Sequence, residues 1–570
     1  MMERASLILK NGDIKTCDQN GTLLAYEALA VQGEKILAAG TSEEMEQYAD
    51  SETERIDLHG KTVLPGLCDA HLHASSTREI LGKYNLYATV EEEHSRDEVI
   101  AIVQDTIRKF METEDISRGI RLTGWNPVVF CNSAEGFPTA KDLDAVCSEV
   151  PVVLRSVCQH YIWLNTCALE RAGIGKNFPD IKDGVVYRDE EGMPTGIFQE
   201  ISAVNYIKEI LPEADHTVEE YKESILQFQN MFALPMGITM ICDALATPNA
   251  MEAYRELALS GELKIRVSGV YSFTPDRPDE ILKEVIARKR SGADTVGDMY
   301  HVPTAKFFED GVEFMFYMRE PFEAEALAKA GYAPDYCGVP QWRPEKLKAL
   351  FAALDREGFQ IHVHAMGDGA ARDTLDAMEY AREQNPGANH RHAIAHVMNI
   401  SDSDMDRMAA LHVIGSVQPC WGIFDSSEQG NIFLMGERRI YEGYPYGKLY
   451  RRGVRLASGT DFPIVPILNP YQGIQIGMTR QVPKTHPDYA GYHEYVRGGE
   501  ECRVDFAGML ASYTINGAYE MFYEDIAGSL EAGKSADFVI LPGAISETDV
   551  YDYEFIRPES VYFKGKKVIG

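Results

Sequence analysis

An α/β fold is predicted for this chain, because strand-like and helix-like segments alternate through the middle of the sequence. Helical patterns such as Pro344–Arg356 and Ala370–Glu383 separate most of the strand-like segments. Eight such strands with helical crossovers are typical of a (β/α)8 TIM-type barrel. The eight predicted strands are Thr62–His73, Ile238–Ala244, Ile265–Ser272, Ala305–Asp310, Phe359–Ala365, Ala393–Val397, Val413–Gln418 and Val454–Asp461.

Both ends of the chain differ from this middle, because they contain short strands and turns with little helical pattern. Asn11-Gly12, for example, is a strong turn signal after the first strand. Two β-rich ends around an α/β middle predict one small β-sandwich domain built from both termini. Its predicted strands are Ala5–Leu9, Leu24–Val31, Lys35–Ala39, Lys61–Leu64, Phe538–Leu541, Ser560–Phe563 and Lys566–Ile569.

The segment between the first two barrel strands is much longer than the usual connection of a few residues and one helix. We therefore expect an inserted subdomain that covers the barrel mouth and shapes the pocket. It has strand candidates of its own, Ile120–Thr123 and Val152–Arg155, which would raise the barrel count to ten. The predicted domains are 1–60 and 521–570 for the two parts of the β-sandwich, 61–79 for barrel strand 1, 80–235 for the insertion and 236–520 for the remaining barrel.

The charge balance limits the partners that the protein can have. Asp and Glu number 88 against 55 Lys and Arg, which gives a formal net charge of −33. Such an acidic surface repels phosphate backbones, so we expect no nucleic-acid partner. Hydrophobic residues make up 45% of the chain and charged residues 25%, an ordinary globular composition that excludes wholesale disorder.

Cysteine usage and apolar runs indicate the compartment. The ten cysteines contain no CxxC pair and are too few for a disulfide scaffold in 570 residues, so a reducing compartment fits best. The N-terminal apolar run, Leu7-Ile8-Leu9, is too short for a signal-peptide core. No run of about 18 apolar residues exists, so no membrane span is expected. These observations predict a cytoplasmic protein.

The strongest chemical signal is the pair His71 and His73 at the end of Leu64–His73. Because side chains alternate along a strand, two histidines one residue apart point to the same side. At the end of a barrel strand both would face the barrel mouth, where two neutral imidazoles form half of a metal site. An HxH pair alone is a weak signal, but here a hydrophobic strand and a Pro-Gly turn precede it.

Later strands carry further candidates, namely Lys306, His364, His396 and Asp461. His364 lies nearer the C-terminal end of its strand than His362, and barrel active sites lie at that end, so we choose His364 as a ligand. An ion pair with a neighbouring carboxylate is the alternative for Lys306. Each residue alone is more often structural, but five strands that place a His, Lys or Asp at one end favour a shared function.

These residues lie in motifs by which the sequence resembles the amidohydrolase superfamily. The motifs are LPGxxDxHxH at 64–73, KxFxDG from Lys306, VHAxGD at 363–368, the histidine at 396 and GTDxP at 459–463. The tail at 513–518 and 528–538 matches the superfamily pattern for return of the chain into the small β domain. Within the superfamily, the sequence is similar to the branch of YtcJ-like proteins and N-substituted formamide deformylases.

The resemblance implies a binuclear centre of two divalent metal ions, usually zinc, at the barrel mouth. Its implied ligands are His71, His73, Lys306, His364, His396 and Asp461. The first two histidines and the aspartate would bind the more buried ion, and the other two histidines would bind the second. The lysine would bridge both ions as a carbamate formed with CO₂, because an ammonium has no lone pair to donate and a carboxylated lysine offers two anionic oxygens.

The resemblance also implies the reaction. A metal-bridging hydroxide would attack the carbonyl of an amide, N-substituted formamide or cyclic amide, with Asp461 as general base and then general acid. An ester or lactone would react by the same route. Trp125, His160 and Phe316 are the candidate contacts to the small-molecule substrate, and packing in the subdomain core is the alternative for Trp125.

Two other functions stay open. A mononuclear deaminase of the same superfamily, acting on a ring amidine, would also use the HxH pair, later histidines and the strand-eight aspartate, but it would not need Lys306 as a bridge. A non-catalytic metal-binding barrel is the second alternative, although lost catalysis usually leaves a broken ligand set. Barrel enzymes of this kind often form homodimers, and the sequence leaves the oligomeric state open.

Overall fold

The computed structural model describes residues 3–77, 84–86, 89, 94–131, 136–156, 161–181, 184–199, 201–211, 216–311, 315–465 and 467–570. The chain divides into two compact units. One unit is discontinuous in sequence and comprises Met1–Ser75 and Ile225–Gly570. The other is the continuous segment Ser76–Ser224.

The larger unit contains a parallel barrel sheet of eight strands whose spatial order follows the chain. Barrel strands 1 to 8 are Leu67–Leu72, Ile238–Asp243, Arg266–Ser272, Tyr300–Phe308, Gln360–Ala365, Ala393–His396, Ile414–Val417 and Leu456–Ser458. Strands 1 and 8 meet just beyond strand 8, where Asp461 N donates to His71 O at 2.8 Å and His73 N donates to Phe462 O at 2.7 Å. The predicted α/β barrel fold is therefore confirmed.

Two predicted strands are each split between two sheets. Thr62–His73 is not one strand, because Thr62–Pro65 pairs with Phe538–Ile540 in the terminal β domain, and barrel strand 1 begins only at Leu67. Gly66 joins the two parts at a point where any Cβ would clash with the side chain of Thr239. In the same way, Leu24–Val31 divides into Leu23–Tyr26 and Ala28–Gln32, which belong to different sheets. A largely apolar sequence hides both changes of sheet.

Both chain ends build the terminal β domain, as the sequence predicts. Its four-stranded sheet has the order Lys35–Gly40, Ala28–Gln32, Leu7–Lys10 and Glu54–Asp57. Its six-stranded sheet has the order Lys566–Ile569, Ser560–Phe563, Phe538–Ile540, Thr62–Pro65, Asp13–Cys17 and Leu23–Tyr26. Leu9 and Val31 of the first sheet pack with Ile14 and Phe538 of the second in one buried core. The two sheets therefore form a β-sandwich.

The unit Ser76–Ser224 has a five-stranded sheet with its own core. The sheet order is Val185–Arg188, Pro194–Gln199, Tyr161–Leu164, Val152–Ser156 and Ile120–Trp125. The last two contain the strand candidates at 120–123 and 152–155, and neither belongs to the barrel. Apolar side chains of helix Arg96–Thr113, such as Val103 and Ile107, pack in the same core.

Helices connect most of the barrel strands. The sequence of helix Pro344–Arg356 explains why this segment is helical. Proline occupies its first position, and one face buries Leu347, Leu350, Phe351 and Leu354. Other α-helices are Ser42–Glu46, Val128–Cys131, Ala140–Asp144, Thr166–Arg171, Ile201–Ile210, Val218–Phe228, Pro248–Ser260, Pro278–Ser291, Ala324–Ala330, Asp368–Gln384, Asp402–Ala410, Glu428–Met435, Glu437–Tyr441, Tyr446–Arg451, Pro470–Thr479, Tyr489–Tyr492, Phe506–Ser512 and Ile515–Glu520.

Shorter elements complete the fold. A π-helical turn spans Gln229–Ala233, and a two-residue strand, Thr295–Val296, pairs antiparallel with barrel strand 4. The 3-10 helices are Ala74–Ser76, Leu234–Met236, Pro419–Trp421, Glu500–Cys502, Ile545–Glu547 and Val550–Phe555. Within the part of the chain that the structure describes, every helix is too short or too polar to traverse a lipid bilayer.

Candidate metal centre

Three of the predicted ligands converge where barrel strands 1 and 8 meet. His73 Nε2 lies 3.0 Å and His71 Nε2 3.3 Å from Asp461 Oδ1. One donor atom from each of the three residues lies within 4.8 Å of the others, and all three side chains are buried. Two imidazoles and a carboxylate at this spacing are ligands that suit a divalent cation such as zinc.

A second buried carboxylate holds strands 1 and 8 together beneath this triad. Asp69 accepts hydrogen bonds from Thr460 Oγ1 at 2.6 Å, Thr460 N at 3.1 Å and His71 N at 3.2 Å. Burial raises the pKa of Asp69 to about 7. Gly459 makes the close approach possible, because a Cβ there would lie 2.5 Å from His71 N and 2.7 Å from His71 O.

His364 and His396 lie next to the triad at the ends of strands 5 and 6. Their ring centroids are 4.5 Å apart, and the His396 ring is 4.9 Å from that of His71. His396 Nδ1 is 2.8 Å from Gln418 Oε1, and its ring stacks on Trp421 at 5.1 Å. Donation of the Nδ1 proton to this amide oxygen leaves Nε2 of His396 with a lone pair. Neither Gln418 nor Trp421 is apparent from the sequence motifs.

Lys306 lies inside barrel strand 4 with its side chain buried. Its Nζ has no hydrogen-bond partner among the residues that the structure describes, and it lies 5.0 Å from the centre of the Phe308 ring. Burial lowers the pKa of Lys306 to about 8. Asp310, a neighbouring carboxylate in the sequence, accepts hydrogen bonds from Met366 N and Gly367 N instead of from Lys306. An unpartnered amine with a lowered pKa suits reaction with CO₂, because the neutral amine is the nucleophile.

Burial also controls protonation of the other candidate ligands. It lowers the pKa of His364 to about 3 and holds the pKa values of His71 and His396 well below the ordinary range. Although burial opposes its ionisation, Asp461 has a lowered pKa because His73 bonds to it and His396 and Lys306 lie nearby. At neutral pH the imidazoles of His71, His364 and His396 are therefore neutral and Asp461 is a carboxylate, which are the forms that bind metals.

The backbone is strained at two of these residues. His396 has φ +73° and Asp461 has φ +62°, in the left-handed region that non-glycine residues rarely adopt. Each residue stands at or just past the end of its strand, and such strain is common where a side chain is turned towards a functional site.

His362 lies one layer below the candidate ligands. Its Nε2 is 2.9 Å from His71 Nδ1, and its Nδ1 is 3.2 Å from Glu520 Oε1. Burial raises the pKa of Glu520, at the end of helix Ile515–Glu520, to about 8. Glu520 carries no sequence signal of its own, because it lies beyond strand 8, between the two parts of the tail pattern at 513–518 and 528–538.

The three candidate substrate contacts lie in different parts of the chain. Trp125 is fully buried in the core of Ser76–Ser224, where its Nε1 donates to Leu154 O at 3.3 Å and its ring contacts Trp163. That packing is the alternative that the sequence left open, and we omit Trp125 from the proposed site. Phe316 is buried in the larger unit. His160 lies outside the described residues.

Comparison with known proteins identifies the family. The model of the amidohydrolase family matches residues 54–569. The chain is 26% identical to the putative amidohydrolase YtcJ of Bacillus subtilis, covering 91% of both chains. It is 24% identical to the N-substituted formamide deformylase of Arthrobacter pascens, covering 95% of this chain and 94% of that protein.

A solved structure supports the fold over the whole chain. An uncharacterized metal-dependent hydrolase from Pyrococcus horikoshii superposes with a TM-score of 0.72 at 24% identity, covering 98% of this chain and 99% of that one. The resemblance that the sequence motifs indicate is thus confirmed. The chain belongs to the amidohydrolase family and is a metal-dependent hydrolase that acts on carbon–nitrogen bonds.

Proposed function

We propose that this hydrolase uses two divalent cations, zinc in the simplest case, to cleave an amide, an N-substituted formamide or a cyclic amide. The convergence of His71, His73 and Asp461 beside the buried, unpartnered amine of Lys306 is the observation that carries the proposal. A site for a single cation would account for the first three residues but not for an amine that is kept without a partner beside them.

Each ligand has a distinct part in the proposed site. His71, His73 and Asp461 hold the more buried cation, and His364 and His396 hold the other. The neutral Nζ of Lys306 attacks the carbon of CO₂, forms an N–C bond and loses a proton to water. The resulting carbamate carries two anionic oxygens for the two cations, and it replaces a positive charge by a negative one.

Asp461 is the proposed acid–base group. Bound cations would supply an acidified water and a polarised carbonyl. The lowered pKa of Asp461 keeps its carboxylate ionised, so it can take a proton from the attacking water. It then delivers that proton to the leaving nitrogen, which departs as a neutral amine. His73 Nε2, at 3.0 Å, orients the carboxylate.

The substrate class rests on the relatives and on the neighbourhood of the ligands. The relative named as an N-substituted formamide deformylase supports a formamide, although an ester would react by the same route. The part-exposed Phe308 lies between Lys306 and His364, with its ring 5.1 Å from that of His364. We propose Phe308 as an apolar contact for the N-substituent, with Phe316 and His160 as further proposed contacts.

The free cysteines and the net charge support the proposed compartment and partners. Eight cysteines in the described ranges are free thiols, which supports the proposed cytoplasmic location. The net charge of −33 supports the absence of a nucleic-acid partner. A homodimer would be consistent with the fold class, and size measurement in solution would decide it.

Metal content is the direct test of the site. Wild type and Lys306→Ala should be purified with zinc and bicarbonate and analysed for metal per chain. We expect about two ions in the wild type and one or fewer in the variant, because the bridge is lost. Lys289→Ala, on helix Pro278–Ser291 outside the barrel sheet, is the matched control and should keep both ions.

Turnover then separates the alternative functions. The two-metal protein should hydrolyse N-substituted formamides or related amides. One ion in both wild type and Lys306→Ala would contradict the carbamate and favour the mononuclear deaminase acting on ring amidines. Full metal loading without turnover of amides, esters or amidines would favour a non-catalytic metal-binding barrel.

A further inference from the structure

A chain of buried polar groups runs from the candidate metal centre down the inside of the barrel. His71 Nδ1 lies 2.9 Å from His362 Nε2, and His362 Nδ1 lies 3.2 Å from Glu520 Oε1. The exposed fractions of the three residues are only 1%, 0% and 2%. Branched apolar side chains usually fill the interior of such barrels, so three polar groups in a row call for a specific explanation.

Glu520 belongs to this row of buried polar groups and lies at the end of the barrel opposite the mouth. Its backbone carbonyl accepts a hydrogen bond at 2.9 Å from Nε2 of Gln360, which is the first residue of barrel strand 5. The carbonyl of the next residue, Met521, lies 2.8 Å from His301 Nε2 near the start of strand 4. The end of helix Ile515–Glu520 is therefore anchored to the N-terminal ends of two strands, opposite the barrel mouth.

The proposed role of His71 sets the direction of the protons along this row of groups. If His71 Nε2 binds the cation, its Nδ1 keeps a proton, and His362 then carries its own proton on Nδ1. That Nδ1 faces Glu520 Oε1 at 3.2 Å, an ion-pair distance without hydrogen-bond geometry, where Glu520 offers an oxygen acceptor whether or not it is ionised. His362 Nε2 then carries a lone pair and accepts the Nδ1 proton of His71. Nε2 of His71 is left with a lone pair, and this atom lies 3.3 Å from Asp461 Oδ1, among the other ligand atoms.

We propose that Glu520 and His362 are positioning residues that fix the tautomer and the ring orientation of His71 for metal binding. The inference rests on the proposed function, in which His71 is a ligand. Without an acceptor at Nδ1, the His71 proton is free to move to Nε2, and an N–H group then faces the cation. Partners of this kind typically change metal affinity by about 10- to 100-fold.

Zinc binding by the metal-free protein tests the proposal. Chelator competition would give the zinc dissociation constants of the wild type, Glu520→Leu, His362→Leu and the double variant. We expect each single variant to bind zinc about 10- to 100-fold more weakly. Because Glu520 acts through His362, the double variant should bind no more weakly than His362→Leu. Additive losses in the double variant would overturn this order of action.

Two further variants separate positioning from packing. Glu520→Gln keeps an oxygen that can accept from His362, so it should bind zinc more tightly than Glu520→Leu. Asp404→Leu removes a buried carboxylate that bonds to Arg372 outside the barrel sheet, and it should bind zinc as the wild type does. Circular dichroism would establish that every compared variant is folded.

The outcomes also separate this inference from the proposed function. Wild-type zinc affinity in folded Glu520→Leu would overturn the positioning role and leave the metal centre intact. Wild-type protein that binds no zinc would overturn the proposed metal centre itself. Equal affinities of Glu520→Gln and Glu520→Leu, both weakened, would overturn the role of the accepting oxygen.

Discussion

Asp461 is proposed to act both as a metal ligand and as the proton carrier. Asp461→Asn keeps the size of the side chain, but its neutral amide cannot take a proton, so we expect kcat for formamide hydrolysis to fall by about 10²–10⁴-fold. Steady-state kinetics with zinc analysis of the same sample would measure this. Asp404→Asn, in helix Asp402–Ala410, should keep wild-type activity. Full activity in Asp461→Asn would contradict the assigned role.

Glu309 is a buried carboxylate for which the described residues supply no hydrogen-bond partner. Burial raises its pKa from 4.5 to about 9. The folded state therefore keeps a proton that the unfolded state releases above about pH 4.5, and stability falls as the pH rises from there towards 9. Glu309→Gln should remove this loss and raise the free energy of unfolding by about 1–3 kcal/mol at pH 7.

Urea unfolding at several pH values would check this second prediction. The gain from Glu309→Gln should be small at pH 5, where the wild-type side chain is protonated in the folded state, and should grow towards pH 9. Glu547→Gln, in the 3-10 helix Ile545–Glu547, offers an exposed control. A gain that does not depend on pH would contradict the explanation.

Individual ligands could be predicted from the sequence where a short motif marked the end of a strand. His71, His73 and Asp461 have such motifs, and the structure brings them together. Gln418, Trp421 and Glu520 have no comparable signal, because strand 7, its following turn and a helix beyond the barrel bring them to the site. Only tertiary structure shows that these residues touch His396 and His362.

Among the elements, the junction of barrel strands 1 and 8 leaves no room for added volume at Gly459. In Gly459→Ala, the new Cβ would lie 2.5 Å from His71 N, a backbone atom that cannot turn away. We expect a loss of about 3 kcal/mol in the free energy of unfolding and weaker zinc binding, because His71 is displaced. Thermal unfolding and zinc titration would measure both effects.

A second glycine provides a control in which the same substitution should raise the free energy of unfolding. Gly430 lies inside helix Glu428–Met435, and a Cβ there would meet no atom within 4 Å. Gly430→Ala should therefore stabilise the protein by about 0.5–1 kcal/mol. Equal stability in the two variants would contradict the close approach of strands 1 and 8.

Element types were more predictable than element boundaries. Helix Pro344–Arg356 agrees with its predicted bounds, because its apolar spacing and its proline mark the first turn. The prediction of one strand at 62–73 is wrong, since both halves are buried and largely apolar and only Pro65-Gly66 marks the change of sheet. Pattern alone does not show which sheet a buried strand joins.

For the molecule as a whole, bound metal should stabilise the folded barrel. The proposed ligands come from strands 1, 4, 5 and 6 and from the segment after strand 8, so zinc binds only the folded arrangement. Zinc at 100 times its dissociation constant should add about 2.7 kcal/mol of stability and raise Tm by about 2–3 °C. Calorimetry before and after chelation and zinc return would measure the shift. Magnesium is the control, and an unchanged Tm with zinc would contradict the site.

The discontinuous unit also has a consequence for synthesis. Two paired strands, Asp13–Cys17 and Thr62–Pro65, leave the ribosome before most of the others. Thr62–Pro65, however, cannot complete its pairing until Phe538–Ile540 has been synthesised. Barrel strand 1 likewise cannot form its hydrogen bonds to the segment after strand 8 until that segment has been synthesised. Ser76–Ser224, by contrast, is continuous in sequence and can fold as soon as it emerges. The nascent chain therefore carries unpaired strand edges until Phe538–Ile540 has been synthesised, which makes chaperone protection most valuable for the strands that emerge first.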